Sequence, residues 1–554
     1  MSIVQVDDAD FKKALRLETL RQPLRMDSLE ASLITRDAVD KGATCWLHLM
    51  ARAVRPQAET GLARLAVSFQ PTETEREPML DHEIYVEPTW TSIDIPFSAR
   101  EDIDEGQAKI SLGVGTQLQV IDVGNIVMRC FGSDILPGDL PSTSFSYAGR
   151  ADDAHWRKIA EGRIDRYRKG DLAVKVVDAN DQPVADAEIQ VQMTRHAFKF
   201  GAAVNAELLA GVETDDEQSR YGEEDISRYR KVLQELFNTV TFEDSMTWAA
   251  WSDAARRQVT DEALAWVDSL DLALRGSALV AGDWSELPPD LQEKRSDSNF
   301  IRAAVRDRVS ETVGALRGRI AEWDVVDRPR DRHQLLEYLG KGEMDEWFKL
   351  ARAADDQPKL FLNESDVLHG DRLVQLITTL GELTKKNVPI DAIGIKGRFK
   401  EQPPSIQVLS DRLDQLASFD LPIMITEFDM ETDDPDLHAD FTRDLMTLAF
   451  SHPSVEGFVF RGFWEGGHNG LQAAMYQPDW TINPNGEIYR DLVLGLWWTD
   501  DVALSNADGD LLTRAFLGDY VITARKEGGS ASATITLDTD GTNLTLKLDK
   551  TTSG

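Results

Sequence analysis

From about residue 197 to 497, short apolar runs alternate with longer amphipathic stretches, and this rhythm constrains the fold more than any other feature. Eight runs read as strands: 198–204, 239–244, 274–280, 320–326, 359–364, 392–399, 422–429 and 457–464. The segments between them carry helix patterns, as in 228–237 and 409–416. Eight strand–helix units over roughly 300 residues predict a (β/α)8 barrel. An open doubly wound sheet is the plainer alternative, but its glycine-rich first turn is not supplied by Gly201-Ala-Ala-Val. In a barrel, side chains at the C-terminal ends of the strands face the site. Glu427 and Asp429 occupy that position in Ile425-Thr-Glu-Phe-Asp.

The flanking regions are β-rich, so the chain reads as multidomain. Residues 1–145 hold short strand runs separated by Pro, Gly and acidic turns, which predicts a β-sandwich or jelly roll. This region resembles the carbohydrate-binding modules that accompany polysaccharide hydrolases. Trp46, Tyr85, Trp90 and Trp156 are its candidate sugar-stacking aromatics, with core packing as the plainer role. Residues 146–196 read as a connector, with a helix over 154–170 ended by Gly170 and a small β unit. Trp156, Ile159, Ile164 and Tyr167 are expected on one face of that helix. Residues 498–554 read as a small C-terminal β module.

Bulk properties narrow the partners. The net charge of −36 repels nucleic acid phosphates and anionic membranes, so neither is an expected partner. No apolar run approaches the length of a membrane span, and the N-terminus has no signal-peptide pattern. The expectation is a soluble chain, cytoplasmic as it stands, or secreted or periplasmic if a signal was removed. The histidines form no metal-binding spacing, and no cofactor motif is present. Cys45 and Cys130 both lie in strand runs and read as two buried thiols, with a disulfide as the alternative.

Several separate stretches, Phe237-Asn-Thr-Val-Thr-Phe-Glu-Asp, Leu274-Arg-Gly, Trp323-Asp-Val-Val, Leu360-Phe-Leu-Asn, Pro389-Ile-Asp-Ala-Ile-Gly and Ile425-Thr-Glu-Phe-Asp, resemble glycoside hydrolase family 10, the retaining endo-β-1,4-xylanases. The resemblance covers about residues 197–495. It implies a polysaccharide or oligosaccharide partner and a pair of carboxyl groups about 5 Å apart, one nucleophile and one acid/base. Glu427 matches the nucleophile. At the acid/base position this chain has Arg328, which does not donate a proton near neutrality.

Other cleft positions depart from the family pattern. Glu-Asn-x-x-Lys-Trp is Glu243-Asp244-Ser-Met-Thr247-Trp248. Arg-Gly-His is Arg275-Gly276-Ser277, and the following Trp-His is Ala281-Gly282. The strand-six Gln-x-His is Lys396-Gly397-Arg398, and the strand-eight Trp is Arg461. Asn363 persists, beside Glu364. Glu243, Asp244, Trp248, Ser277, Asp327, Asn363, Lys396, Arg398, Arg461, Trp464 and the loop residue His468 form the expected substrate-binding set.

Three readings follow: an altered hydrolase using Glu427 with a non-standard proton donor, a retired barrel that binds glycan, or a scaffold. Glu243, Asp244, Asp283, Asp327, Glu364 and His468 are the candidate substitute acids. The cations Arg328, Lys396, Arg398 and Arg461 either admit an anionic glycan or close salt bridges over Asp244, Asp327, Glu364 and Glu427. The sequence does not fix the oligomeric state.

Overall fold

The structure is a computed structural model. It describes residues 1–21, 29–56, 60–72, 78–115, 117–212, 214–216, 219–242, 244–270, 272–330, 333–467 and 474–550. Two compact units are present: residues 1–147 with 369–374 and 399–404, and the remainder.

The larger unit contains the barrel. Its strands, numbered here in barrel order, are β1 Lys199–Ala203, β2 Thr239–Phe242, β3 Ala273–Gly276, β4 Glu322–Asp327, β5 Lys359–Glu364, β6 Ala392–Phe399, β7 Ile423–Met430 and β8 Val455–Phe460. Neighbours pair in parallel, with β8 beside β1 and β3 beside β4, so the sheet closes. A two-residue strand, Val280–Ala281, adds to β4 after β3 has ended. Each predicted strand overlaps an observed one.

The strands form here because β4 and β7 are buried along their whole length and β5 and β6 nearly so, as expected for parallel strands covered on both faces. The helices follow from capped amphipathic runs. In helix Pro435–Ser451 the Asp434 carboxylate accepts bonds from the N–H groups of Asp436 and Leu437, and proline begins the helix. Helix Ile406–Ala417 turns Ile406, Leu409, Leu413 and Leu416 inward.

Gly276 ends β3 where the indole of Trp323 on β4 lies against its backbone, in the space that a Cβ needs. Trp323 is fully buried and has no room to yield. Gly276→Ala is therefore expected to destabilise the barrel by about 1–3 kcal/mol. A thermal melt checks this; an unchanged transition would contradict the packing described.

The sequence reading separated a connector (146–196) from a C-terminal module (498–554). In the structure their strands interleave. Lys169–Val177 lies between Asp510–Phe516 and Thr542–Lys547, and Glu188–His196 lies between Asp500–Leu504 and Gly518–Lys526. The two segments thus share their sheets, and neither would satisfy its inner strand edges alone. The helix spans Trp156–Tyr167. Gly170 does not end it but sits in the next strand, and Ile159 lies outside the buried face, 47% exposed.

The smaller unit is a β-sandwich of a five-stranded and a four-stranded antiparallel sheet. Strand Thr44–Arg55 alternates in burial, sending Cys45, Leu47, Leu49, Ala51 and Ala53 into a core shared with Leu65, Val67 and Phe69 of the other sheet. Cys45 and Cys130 face each other across neighbouring strands and form a disulfide, not the two thiols expected. Strands Ser2–Gln5, Lys13–Glu18 and Glu30–Ile34 were not foreseen. The candidate aromatics have partners within the protein. Trp90 lies between Phe11 and Arg52, Arg64 covers Tyr85, and Trp46 stacks on His48. Trp156, in the larger unit, donates to the carbonyl of Gly149.

Candidate active site: an ion-paired barrel mouth

The C-terminal ends of the strands surround a cavity of about 140 Å3. Its walls include Asp244, Trp248, Ser277, Asp327, Arg328, Lys396 and Glu427, all anticipated from sequence. Thr247, Ala278, Ala281 and Glu286 complete it. Glu286 was missed, because it ends the short helix Trp284–Glu286 with no motif around it.

Glu427 is buried near the end of β7, and both its oxygens are bonded. Lys396 Nζ lies 2.5 Å from Oε1, and the Arg398 guanidinium bonds Oε2. The Lys396 ammonium also lies 3.1 Å from Asp327 Oδ1. One cation therefore fills the space between the two carboxylates. Burial opposes the charge on Glu427, but Lys396 and Arg398 outweigh it, with Arg328 adding at longer range. The carboxyl is held well below its ordinary range. Such a group stays ionised but is a weakened base and nucleophile.

Each of the expected cleft cations meets an acid. Arg328 Nε donates to Asp327 Oδ2 at 3.1 Å. Its backbone is left-handed, with φ of 50°. Arg461 Nη1 donates to Asp429 Oδ2 at 3.0 Å. Burial pushes the Asp429 carboxyl up, against the pull of Arg398 and Arg461.

Other expected residues lie outside the cavity wall. Asn363 is fully buried, donating to Asp324 and accepting from Thr426. Glu364 is buried and accepts from the backbone N–H groups of Arg330 and Ser365. Trp464 is buried and stacks on Trp480 at 4.4 Å. Asp283 precedes the short helix Trp284–Glu286 and is not part of the wall. Glu243 and His468 lie outside the described residues.

Beneath the mouth, Arg275 is fully buried and donates to Asp324 Oδ1 at 2.6 Å, with Glu322 at 3.6 Å. The acidic pair at alternate positions of β4 was visible in Glu322-Trp-Asp324, yet its role in holding Arg275 was not read. Among the described residues, no group of His, Cys, Asp and Glu is arranged to hold a metal ion. Among the same residues, no helix is long and apolar enough to cross a membrane.

Comparison with known proteins places this geometry in a family. Residues 192–466 match the sequence profile of Glycosyl hydrolase family 10. The chain is 29% identical over 392 residues to the anti-sigma-I factor RsgI6 of Acetivibrio thermocellus, covering 69% of this chain and 48% of that protein. It is 24% identical over 402 residues to endo-1,4-beta-xylanase 3 of Arabidopsis thaliana, covering 70% and 50%. The chain spans about half the length of these curated relatives. The crystal structure of xylanase 10B from Thermotoga petrophila aligns with a TM-score of 0.47 and 18% identity, over 54% of this chain and 94% of that one. The barrel, within residues 192–466, is thus a glycoside hydrolase family 10 domain.

Proposed function

We propose that the family 10 barrel of this chain binds a neutral β-glycan, of the xylan class, without cleaving it by the two-carboxylate route. The observation that carries this reading is the engagement of both Glu427 oxygens by Lys396 and Arg398. A nucleophile must bring a lone pair to the anomeric carbon, and here each oxygen is committed to a cation. The position of the proton donor is changed as well. Arg328 occupies the position that the family resemblance assigns to it, and loss of a general acid alone forfeits about 10²- to 10⁴-fold in rate. Asp327 does not replace it, because it shares the Lys396 ammonium with Glu427.

The charge balance argues against a sulfated or uronate-bearing ligand. Among the described residues, the cavity wall holds four acids, Asp244, Glu286, Asp327 and Glu427, against two bases, Arg328 and Lys396. An anion entering there meets a net acidic wall. Trp248 supplies an apolar face suited to a sugar ring. Among the relatives, the endo-1,4-beta-xylanases supply the glycan class, and an anti-sigma-I factor bears a regulator's name, which suits a barrel that binds without cutting.

Calorimetric titration with xylo-oligosaccharides and with their sulfated or uronate-bearing counterparts, alongside a reducing-end assay on xylan, tests the proposal. Binding of neutral oligosaccharides without new reducing ends is expected, and Trp248→Ala should weaken it. Release of reducing ends that Glu427→Gln abolishes, or binding confined to anionic glycans, would overturn it.

A further inference from the structure

Three residues of the cavity wall, Asp244, Thr247 and Trp248, stand on one short stretch of chain. Strand β2 ends at Phe242, and the helix that follows, Trp248–Ser252, has five residues. A helix of that length does not hold itself in water, so contacts with its surroundings set its place. Met246, Ala250 and Trp251 are buried and turn the stretch inward. Thr247 Oγ1 donates to the Asp244 carbonyl at 2.9 Å, a bond within the stretch itself. Among the described residues, two side chains of other helices bond its backbone. Thr260 Oγ1 lies 3.4 Å from the Ser245 carbonyl, a long contact, and donates at 2.9 Å to the carbonyl of Arg256 in its own helix. Arg308 Nη2 donates to the Met246 carbonyl at 2.7 Å.

Arg308 stands on helix Ser298–Ala315 and is 5% exposed. Its Nη1 donates to Thr312 Oγ1 at 2.8 Å, and its Nε is buried without a hydrogen-bond partner among the described residues. No carboxylate among those residues acts on it, and the charged group nearest in influence is Arg257, a second cation. Buried charges are ordinarily paired, because taking them out of water is costly. An apolar side chain of similar volume would fill such a place at least as well for stability. What the guanidinium adds is a strong, directed bond to one carbonyl. That carbonyl lies in the stretch that carries Trp248.

We propose that Arg308 is a positioning residue, which through the Met246 carbonyl fixes residues 244–248, and with them Trp248, in the cavity wall. Arg308 is not itself part of that wall, so it acts through the stretch and not on a ligand. Its effect on affinity rests on the glycan-binding reading of the cavity, whereas its effect on the order of the stretch does not. With the bond gone, a ligand would have to order residues 244–248 as it binds, and affinity falls by that entropy.

Arg308→Met removes the bond and keeps most of the bulk. Hydrogen–deuterium exchange of the full chain, read by mass spectrometry, should be faster by about tenfold in peptides spanning 244–252 and unchanged in those from β4 to β7. In titration with xylo-oligosaccharides the same variant should bind about tenfold more weakly. In a Trp248→Ala background it should have little further effect, because the side chain that Arg308 places is gone. A residue serving stability alone would shift the melting transition and leave the local exchange and this coupling unmoved. If Arg308→Met does not fold, Arg308→Lys, which keeps the charge without the planar fork, is read by the same exchange with the same expected direction. Exchange of 244–252 that matches wild type or rises equally throughout the barrel, or affinity losses that simply add to those of Trp248→Ala, would overturn the proposal. Wild-type protein that binds no xylo-oligosaccharide would overturn the glycan reading instead, and the exchange of 244–252 would still decide the role of Arg308.

Discussion

Glu427→Gln is expected to destabilise the barrel by about 3 kcal/mol near neutral pH, the lower end for opening a buried ion pair. The lower end applies for two reasons. Lys396 keeps Asp327 as a partner, and the Arg398 side chain is 37% exposed and regains water. The pH dependence has a fixed sign. The Glu427 carboxyl titrates below its ordinary value of 4.5, so its contribution is complete above that value and is lost as pH falls from there toward its folded pKa. Glutamine mimics the protonated acid. The gap in melting temperature between the two proteins should therefore be constant above about pH 5 and shrink on acidification. Melting curves from pH 7 to pH 3 check this. A gap that stays constant through the acid range would mean that Glu427 is not the paired anion described.

Lys396→Met should have the largest effect at the site. Its ammonium is buried and contacts both Asp327 and Glu427. Without it two carboxylates face each other, and like charges in a buried site raise their pKa values. Stability should fall by about 3–5 kcal/mol at neutral pH. The variant should then regain stability as pH falls, because protonating either carboxyl relieves the repulsion. Wild-type protein has the opposite slope from Glu427. Asp429, pushed up by burial, carries the reverse sign in both proteins and cancels in the comparison. Parallel stability–pH curves for wild type and Lys396→Met would contradict the bridging role.

What the sequence revealed and what it hid divide along physical lines. Strands β5 and β6 were legible to the residue, because a parallel strand buried on both faces is a continuous apolar run between turn signals. Strand β3 was read as one run to Val280, but the chain leaves the ladder after Gly276 and rejoins it at Val280. The composite β module was hidden because a strand pattern does not name its partner. Leu172 to Val177 pair with Thr542 to Lys547, across more than half of the chain.

The site divides in the same way. The place of Glu427 follows from its strand, since the end of a barrel strand points into the mouth. Its partners do not follow. Arg328 stands next to Asp327 in sequence and adopts a left-handed backbone, and its guanidinium bonds that neighbour. Lys396 and Arg398 lie two residues apart on β6, so both point to the same face and reach the same carboxylate. That spacing was present in the sequence, but which acid they would grip depended on the neighbour of β6 in the barrel. Lys396, Arg398, Arg328 and Arg461 each contact an acid, as charge compensation, one of the two readings of the four cations, expects.

In the function proposed, Glu427 is an ion-paired anion and does not serve as a nucleophile. The most direct test is covalent trapping with a 2-deoxy-2-fluoro-β-xylobioside bearing an activated leaving group. In a retaining enzyme the carboxylate displaces the leaving group and the fluorosugar remains attached, adding its mass to the protein. Intact-protein mass spectrometry after prolonged incubation should show the unmodified mass alone. A mass increase equal to the fluorosugar, mapped by peptide analysis to Glu427, would contradict the account.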